Sequence, residues 1–227
     1  MKPDTLRALN AVRRDQTPII LATWLDTGEE QLIALGDDYS PDLAGQLDEA
    51  FTSDRSAKLE VEGRPLFLHV FNPPLRLLVV GAVHVAEPLA RLARTTGYAI
   101  TIIDPRRAYT DKERFPGLTL IDAWPDDAMA ELRPDHRTAV VTLTHDPKID
   151  DPALHFALSS PVFYIGSLGS KRTHAKRIER LKEDGFDDDT IARIKGPVGL
   201  DIGAKTAAEI ALSVMAEVVA AQRGKLA

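Results

Sequence analysis

The chain has 227 residues, a formal net charge of −6 and no cysteine, and 44% of its residues are hydrophobic. The acidic balance argues against nucleic acid as a main partner, and without cysteine these residues offer no disulfide, thiolate metal ligand or nucleophilic thiol. No apolar run approaches the roughly 20 residues that span a bilayer, and no secretory signal stands at the start. We therefore expect a cytoplasmic protein that does not bind membranes.

The pattern of residues 1–73 predicts a small α+β domain. Apolar side chains at helical spacing indicate helices, and short apolar runs between turn residues indicate strands. The predicted elements are a helix at 4–15, hairpin strands at 19–25 and 31–35, a helix capped by Ser40, and strands at 57–62 and 65–71. The stretch Asn72-Pro73-Pro74 then interrupts helix and strand alike and marks the domain boundary.

Residues 75–227 predict a Rossmann-like domain, an α/β fold whose parallel sheet carries helices on both faces. An apolar run from Leu77 ends at Gly81, a helical pattern follows, and a second run ends at Asp104, which is the plan of a mononucleotide-binding unit. Further strands are predicted at 118–122, 139–144 and 162–166, and helices at 126–132, 151–158, 170–184, 187–194 and from 206 onward.

Two of those helices carry more specific predictions. Asp151-Pro152 reads as a cap followed by a first-turn proline, and therefore predicts where the helix at 151–158 begins. Ala175, Ile178 and Leu181 have helical spacing and are predicted to form the buried stripe of the helix at 170–184.

The glycine turn after the first strand departs from the dinucleotide fingerprint. It reads Gly81-Ala82-Val83-His84-Val85-Ala86, so Val83 stands where a second glycine lets the backbone approach a pyrophosphate. Asp104 lies close to the spacing of about 20 residues expected for an acid on a ribose hydroxyl. Arg106 follows and could instead meet a phosphate. The alternative is a solvated strand end, and the turn predicts a Rossmann unit more firmly than a dinucleotide site.

Two later loops have glycines beside charged residues at a predicted helix start, where backbone N–H groups favour anions. The first contains Gly166, Gly169, Ser170 and Lys171, and the second contains Asp201, Gly203 and Lys205. An ordinary turn with a capping serine, and a purely structural loop, are the respective alternatives. His84 and His145 follow predicted strands, although a lone histidine is more often structural. No spacing indicates a catalytic constellation or a metal site.

Three segments together resemble the XdhC/CoxI family of accessory proteins for xanthine dehydrogenase and carbon monoxide dehydrogenase. They are GAVHVAEPLA, YIGSLGSKRTHAKRIERL and GPVGLDIGAKTAAEIALSVMAEVV, and the resemblance runs from Arg76 to about Arg223. It implies a Rossmann-like domain and a maturation factor that binds molybdopterin cofactor as cargo. It also implies that the cofactor is sulfurated with a cysteine desulfurase and passed to the apo-enzyme of a molybdenum hydroxylase.

The motifs and the resemblance together predict one set of cofactor-binding residues, none of them catalytic and none a metal ligand. The set is Gly81, Val83, His84, Asp104, Arg106, His145, Gly166, Gly169, Ser170, Lys171, Asp201, Gly203 and Lys205. Two departures from the family pattern stand out. Val83 replaces the second glycine of Gly-x-Gly-His, and residues 33–38 lack the cysteine that the family usually carries in this region.

Other functions remain open from the sequence. The strand–turn–helix unit also fits an NAD(P)-dependent oxidoreductase or a nucleotide-sensing regulatory module. The last helix is apolar at Ile210, Val214, Val218 and Val219, and would suit either its own sheet or a second subunit in a homodimer. The pattern does not choose the client enzyme or the mono- or dinucleotide form of the cofactor.

Overall fold

The structure is a computed structural model that describes residues 1–37, 39 and 41–226, without the side chains of residues 41 and 42. The chain divides into two compact units, Met1–Pro73 and Pro74–Ala227. The assignment of residues 1–73 and 75–227 as separate domains stays a prediction. The predicted Ser40 cap lies outside the described residues.

The first unit is a four-stranded antiparallel sheet with two helices. Its elements are α1 Pro3–Arg14, β1 Ile19–Trp24, β2 Glu30–Ala34, α2 Pro41–Ser53, β3 Ala57–Val61 and β4 Arg64–Phe71. The sheet order is β2-β1-β4-β3, so the predicted hairpin of β1 and β2 is confirmed. The core of this unit lies between one face of the sheet and α2. It contains Ile20, Leu66 and Leu68 from the sheet and Leu47 from α2, all of them buried.

The second unit is a six-stranded sheet whose neighbouring strands are all parallel. Its elements are β5 Arg76–Val80, α3 Ala86–Thr95, β6 Ala99–Ile103, β7 Thr119–Ile121, α4 Pro125–Leu132, β8 Thr138–Thr142, α5 Pro147–Leu158, β9 Tyr164–Ser167, α6 Lys171–Glu183, α7 Asp188–Ile191, β10 Ile194–Lys195 and α8 Ala207–Gln222. The order is β10-β9-β8-β5-β6-β7. The Rossmann-like fold with helices on both faces is confirmed.

Strand β5 shows why the sheet is covered on both faces. Leu77 and Val79 pack with the cluster that contains α3 and α8, whereas Leu78 and Val80 pack with the cluster that contains α4, α5 and α6. Successive residues of a strand point to opposite faces, so an uninterrupted apolar run requires two apolar layers. The strand order reverses between β5 and β8, and ligands of such sheets bind beyond the carboxyl ends of the strands at this point.

Helix α8 packs on its own sheet. Val214 and Val218 are fully buried, while Ile210 and Val219 pack at the margin of the same apolar cluster. A contribution of this helix to a homodimer stays a prediction. None of the helices in the described ranges combines the length and apolar character needed to cross a membrane.

Three sequence predictions about this unit were wrong in detail. Helix α5 begins at Pro147, capped by Asp146, and Pro152 lies inside it. The Asp-Pro signal occurs twice, and the earlier pair brings Ile149 and Asp150 onto the buried face. The other two concern the helices that follow.

Of the predicted stripe of α6, Leu181 is buried and Ile178 is half-buried, but Ala175 is exposed. The second fully buried side chain of the helix is Arg177. Arg177 lies one helical turn before the buried Leu181, so the helical spacing was right and the apolar residue types were misleading. The helix predicted at 187–194 ends at Ile191, and the sixth strand, β10, follows it. Two residues are too short a run to be read as a strand from sequence.

Candidate functional site

The glycine turn after β5 is packed tightly against the loop after β8. Gly81 has a φ of +106°, and its N–H donates to the carbonyl of Ile103 at 2.8 Å. A Cβ at Gly81 would lie 2.5 Å from Cγ2 of Thr144. Both the left-handed backbone and the close approach require glycine here. The turn therefore brings the ends of β5 and β8 together at the switch point.

The carboxylate of Asp104 stabilises this turn through hydrogen bonds. Its side chain is fully buried, and its Oδ2 accepts the N–H of Ala82 at 2.8 Å. The carboxylate also accepts the N–H of Arg106 at 3.0 Å and the guanidinium of Arg106 at 2.9 and 2.7 Å. A carboxylate has about four acceptor sites, so these four bonds fill it. Little capacity is left for a ribose hydroxyl.

Burial alone would raise the pKa of Asp104, but the hydrogen bonds from Arg106 and Ala82 outweigh it and hold the pKa below its usual value. The Asp104 carboxylate in turn raises the pKa of Arg106. The guanidinium of Arg106 lies over the ring of Tyr109, 4.3 Å from the ring centroid. We call this turn closed, because Asp104 neutralises the charge of Arg106 and the acceptor sites of the carboxylate are filled.

Val83 and His84 form the outer part of the turn. Val83 is half-buried against the apolar cluster beneath α3, so its side chain lies only partly in the path of a ligand. His84 is exposed. Helix α3 then begins without a side-chain cap, and the N–H groups of an uncapped first turn suit an anion.

The loop after β8 is fixed by a buried carboxyl group. Asp150 of α5 is only 2% exposed. Its Oδ1 accepts the hydroxyl of Thr144 at 2.7 Å, and its Oδ2 accepts the N–H of His145 at 3.0 Å. Burial raises the pKa of Asp150 in spite of these bonds. His145 has a φ of +64°, which is rare for a residue with a side chain, and its imidazole is exposed at the carboxyl edge.

The loop after β9 leads into α6. Gly166 lies inside β9, where a Cβ would be 2.5 Å from Cγ2 of Val198, so this glycine serves packing against the next loop. Gly169 has a φ of +141°. Ser170 caps α6, its Oγ accepting the N–H of Thr173 at 3.1 Å. Lys171 is exposed on the first turn. Contact of these residues with a ligand stays a prediction.

The segment 196–206 is held by α8. Oε2 of Glu217 accepts the N–H of Gly199 at 2.8 Å and also the hydroxyl of Tyr164. Burial and the neighbouring Glu217 raise the pKa of Tyr164. Ser213 adds a hydrogen bond from its hydroxyl to the carbonyl of Leu200 at 2.6 Å. The inner side of the segment is therefore rigidly tied to β9 and α8.

Its outer side carries the predicted ligand residues. Asp201, Gly203 and Lys205 are exposed. The N–H of Lys205 donates to Glu209 at 2.8 Å, and Glu209 also forms the capping box of α8 with Thr206. The hydrogen bonds of the segment link it to β9 and α8 rather than to Gly81. Within the described part of the chain, no three acidic or histidine side chains are grouped as metal ligands.

Sequence reading missed three buried groups that shape this edge: Asp150, Arg177 and Glu217. Each is a charged residue on the inward face of a helix, where apolar residues are expected. The signal that could have found them is helical spacing from neighbouring apolar positions, applied regardless of charge.

Known proteins can be compared with this fold and site. A sequence model described as the XdhC Rossmann domain matches residues 77–218. The chain belongs to the XdhC family. The matched range contains the glycine turn, the acid Asp104 and every loop of the carboxyl edge described above.

Relatives in this family include two bacterial proteins. PaoD of Escherichia coli (strain K12), a molybdenum cofactor insertion chaperone, is 36% identical over 148 residues, which are 65% of this chain and 40% of PaoD. A protein of Bacillus subtilis (strain 168), named as a probable xanthine dehydrogenase subunit, is 36% identical over 155 residues, which are 68% of this chain and 45% of that protein. The matched residues thus span less than half the length of these relatives.

A crystal structure of a xanthine dehydrogenase from Bacillus halodurans shares the fold. The TM-score is 0.72 at 24% sequence identity, over 98% of this chain and 65% of that chain. At this level of identity the likeness concerns the fold alone.

Proposed function

We propose that this protein is a maturation factor for a molybdenum hydroxylase, binding molybdopterin cofactor as cargo at the carboxyl edge of its six-stranded sheet. The relationship to PaoD, named as a molybdenum cofactor insertion chaperone, carries this proposal. The family match, residues 77–218, covers most of the Rossmann-like unit. Function in such folds is a property of the site rather than of the fold, so the residues of the edge have to suit the cargo.

The edge suits a ligand with a phosphate at one end and a polar ring system at the other. Molybdopterin carries a phosphate, which helix N-termini and basic side chains bind well. The uncapped start of α3 and the exposed His84 and His145 lie at loops that Thr144 and Gly81 hold together. In the proposed complex these groups bind and orient the cargo, and the rigid loops keep their positions without further ordering.

Sulfuration of the cofactor would require a second protein. These 227 residues contain no cysteine, and sulfur transfer needs a thiol or persulfide donor. We propose that a cysteine desulfurase supplies the sulfur while this protein holds the cofactor, and that the apo-hydroxylase then receives the cargo. In this proposal the exposed segment around Asp201 and Lys205 contributes to the docking of either partner.

An NAD(P)-dependent oxidoreductase is the second candidate, favoured by the strand order of the sheet. Its ribose-binding acid would be Asp104. Because the Asp104 carboxylate is already filled by Ala82 and Arg106, the residue that should recognise the ribose is occupied. This geometry favours cargo binding over dinucleotide chemistry.

Co-purification tests the proposal. The protein is expressed in a host that makes the cofactor, and the purified protein is assayed for molybdenum and for oxidised pterin fluorescence. We expect both to co-purify. His84→Ala should lower their amount, whereas His136→Ala should not, because His136 is an exposed histidine just before β8, at the opposite edge of the sheet. Protein free of molybdenum and pterin in spite of cofactor supply would contradict the proposal.

A further inference from the structure

A pocket of about 240 Å³ lies between the start of α5 and the stretch of α6 from Arg172 to Arg180. Its walls include His145, Asp150, Arg172, Lys176, Arg177 and Arg180. Neither the sequence motifs nor the roles described above use its basic residues. Four of the eight lining residues are arginine or lysine, although the protein carries a net charge of −6.

Arg177 forms a buried part of this wall. It is only 2% exposed and is among the largest fully buried side chains of the described residues. Nη2 donates to the carbonyl of Leu168 at 3.0 Å, and Nη1 lies 3.3 Å from Nδ1 of His174. Its Nε is buried and has no hydrogen-bond partner in the described part of the chain. A buried guanidinium whose partners are a carbonyl and an imidazole lacks the carboxylate that such a charge normally requires.

The neighbouring charges do not supply that carboxylate. Arg180 is paired with Asp151 through two contacts of 2.6 and 2.9 Å, so these two charges cancel each other. The oxygens of Asp150 are turned to Thr144 and His145. Arg172 and Lys176 are exposed and add two further positive charges to the same wall. Within the described part of the chain, the pocket thus presents three cations without an ion-pair contact. The Asp150 carboxylate attracts Arg177 electrostatically, but its hydrogen bonds go to Thr144 and His145.

We propose that this pocket is a phosphoryl-binding subsite, which takes the dianionic phosphate of a phosphate monoester. A phosphate offers three acceptor oxygens and a charge near −2 at pH 7, and arginine binds phosphate through directed, charge-assisted hydrogen bonds. The exposed Arg172 and Lys176 attract the anion, and the buried Arg177 meets it inside. That the monoester is the phosphate end of molybdopterin rests on the proposed function; binding of a phosphoryl group does not.

The first experiment uses inorganic phosphate and pyrophosphate as probes. Binding to the full chain is measured by calorimetry at low ionic strength, with ¹⁵N-arginine labelling to follow the Nε–H signal of Arg177. We expect saturable binding and a shift of that signal with the same midpoint. Arg172→Ala/Lys176→Ala should weaken binding more than about tenfold. Lys182→Ala, which removes one charge at the far end of α6 where Lys182 pairs with Asp188, should leave the affinity within about twofold.

Equal affinities of the wild type and the double variant, or an Arg177 signal that ignores phosphate, would overturn the proposal. The Arg177 readout uses the unaltered side chain, so a folding defect in a variant cannot produce a false result. A global loss of structure in the double variant would show in its amide spectrum, and Arg172→Ala alone then replaces it.

The second experiment separates the two sources of the phosphate. Molybdopterin and its dephosphorylated form are compared on the wild type and on the double variant. If the cargo's own phosphate occupies the pocket, dephosphorylation weakens binding to the wild type but not to the double variant. If dephosphorylation weakens binding to the double variant as much as binding to the wild type, the pocket takes free phosphate instead. Phosphate binding without molybdopterin binding would overturn the proposed function and leave the subsite standing, whereas the reverse would overturn the subsite alone.

Discussion

The turn after β5 and the turn after β9 lie on the same edge of one sheet, and both use a glycine with positive φ, Gly81 at +106° and Gly169 at +141°. Their charges differ. Beside the first, Arg106 is neutralised by the buried Asp104. Beside the second, the buried Arg177 has no carboxylate partner among its hydrogen bonds. The first turn has the stronger sequence motif, yet the second region has the unsatisfied charge.

This difference assigns two tasks to two regions: the Gly81 turn shapes the edge of the sheet, and the α6 region recognises an anion. The side-chain charges of the Gly81 turn are paired with each other, so the turn sets the shape of the edge and offers an anion only the backbone N–H groups at the start of α3. The α6 region is incomplete without an anion, since a buried charge is costly unless it is paired. An anionic cargo can therefore be recognised at α6 while the Gly81 turn keeps the loops in place.

Removal of the Asp104 charge should have the largest effect on stability. Asp104→Asn leaves Arg106 unpaired and weakens the bond to Ala82, and should lower the free energy of unfolding by about 4 kcal/mol at pH 7. Because the pKa of Asp104 is lowered by folding, its stabilisation is present above the unfolded-state pKa and is lost as pH falls through the folded-state pKa. The difference between wild type and variant, measured by denaturant unfolding, should therefore shrink below pH 3.8. A difference independent of pH would mean that the charge of Asp104 is not what closes this turn.

A side chain at the Gly81 position tests the tightness of the same turn. Gly81→Ala should cost about 3 kcal/mol, from the left-handed backbone and the contact with Thr144. Gly97→Ala has a similar φ of +86° with open space around it, so it should show the backbone cost of about 1 kcal/mol alone. Thr144→Ser in the Gly81→Ala background should restore part of the difference. If Gly81→Ala and Gly97→Ala lost the same free energy of unfolding, the turn at Gly81 would have room for a side chain beside Thr144.

The segment 196–206 resembles the Gly81 turn, because a buried carboxylate stabilises it: Glu217 accepts hydrogen bonds from Gly199 and from Tyr164. Tyr164→Phe should lower the free energy of unfolding by about 1–2 kcal/mol, as the buried Glu217 loses one of its two donors. Tyr109→Phe is the matched control, since Tyr109 is 42% exposed. If Tyr164→Phe and Tyr109→Phe lost the same free energy of unfolding, the bond between Tyr164 and Glu217 would not anchor this segment.

The smallest effect is expected at Arg177. Arg177→Met removes a buried charge without a carboxylate partner, so in phosphate-free buffer the free energy of unfolding should fall by no more than about 1 kcal/mol. Arg180→Met, one turn away, breaks the pair with Asp151 and should destabilise more. Thermal unfolding with and without added phosphate completes the comparison. Phosphate should raise the Tm of the wild type but not of Arg177→Met. If Arg177→Met lost more free energy of unfolding than Arg180→Met, the charge of Arg177 would already be compensated within the protein, as that of Arg106 is at the Gly81 turn.

Local signals in the sequence account for the fold. The apolar run ending at Gly81 forms a strand covered on both faces, and the helix predicted from 206 onward begins at a capping box of Thr206 and Glu209. The errors arose where two local signals competed, as with Asp146-Pro147 and Asp151-Pro152, or where a strand was too short to have a pattern, as in β10.

The site was less accessible to sequence reading than the fold. Asp104 was found by spacing, but its partners Ala82 and Arg106, which occupy it, depend on tertiary packing. Arg177 was overlooked because an arginine is rarely fully buried. A missing carboxylate partner is a property of the folded neighbourhood, and no spacing along the chain encodes it.

Equilibrium binding of molybdopterin and of NADPH to the same purified protein tests the central claim most directly. Each ligand is titrated into the full chain at low ionic strength, with inorganic phosphate as competitor. The proposed cargo site predicts saturable binding of molybdopterin, weakened by phosphate, and no saturable binding of NADPH. Saturable binding of NADPH without binding of molybdopterin would contradict it.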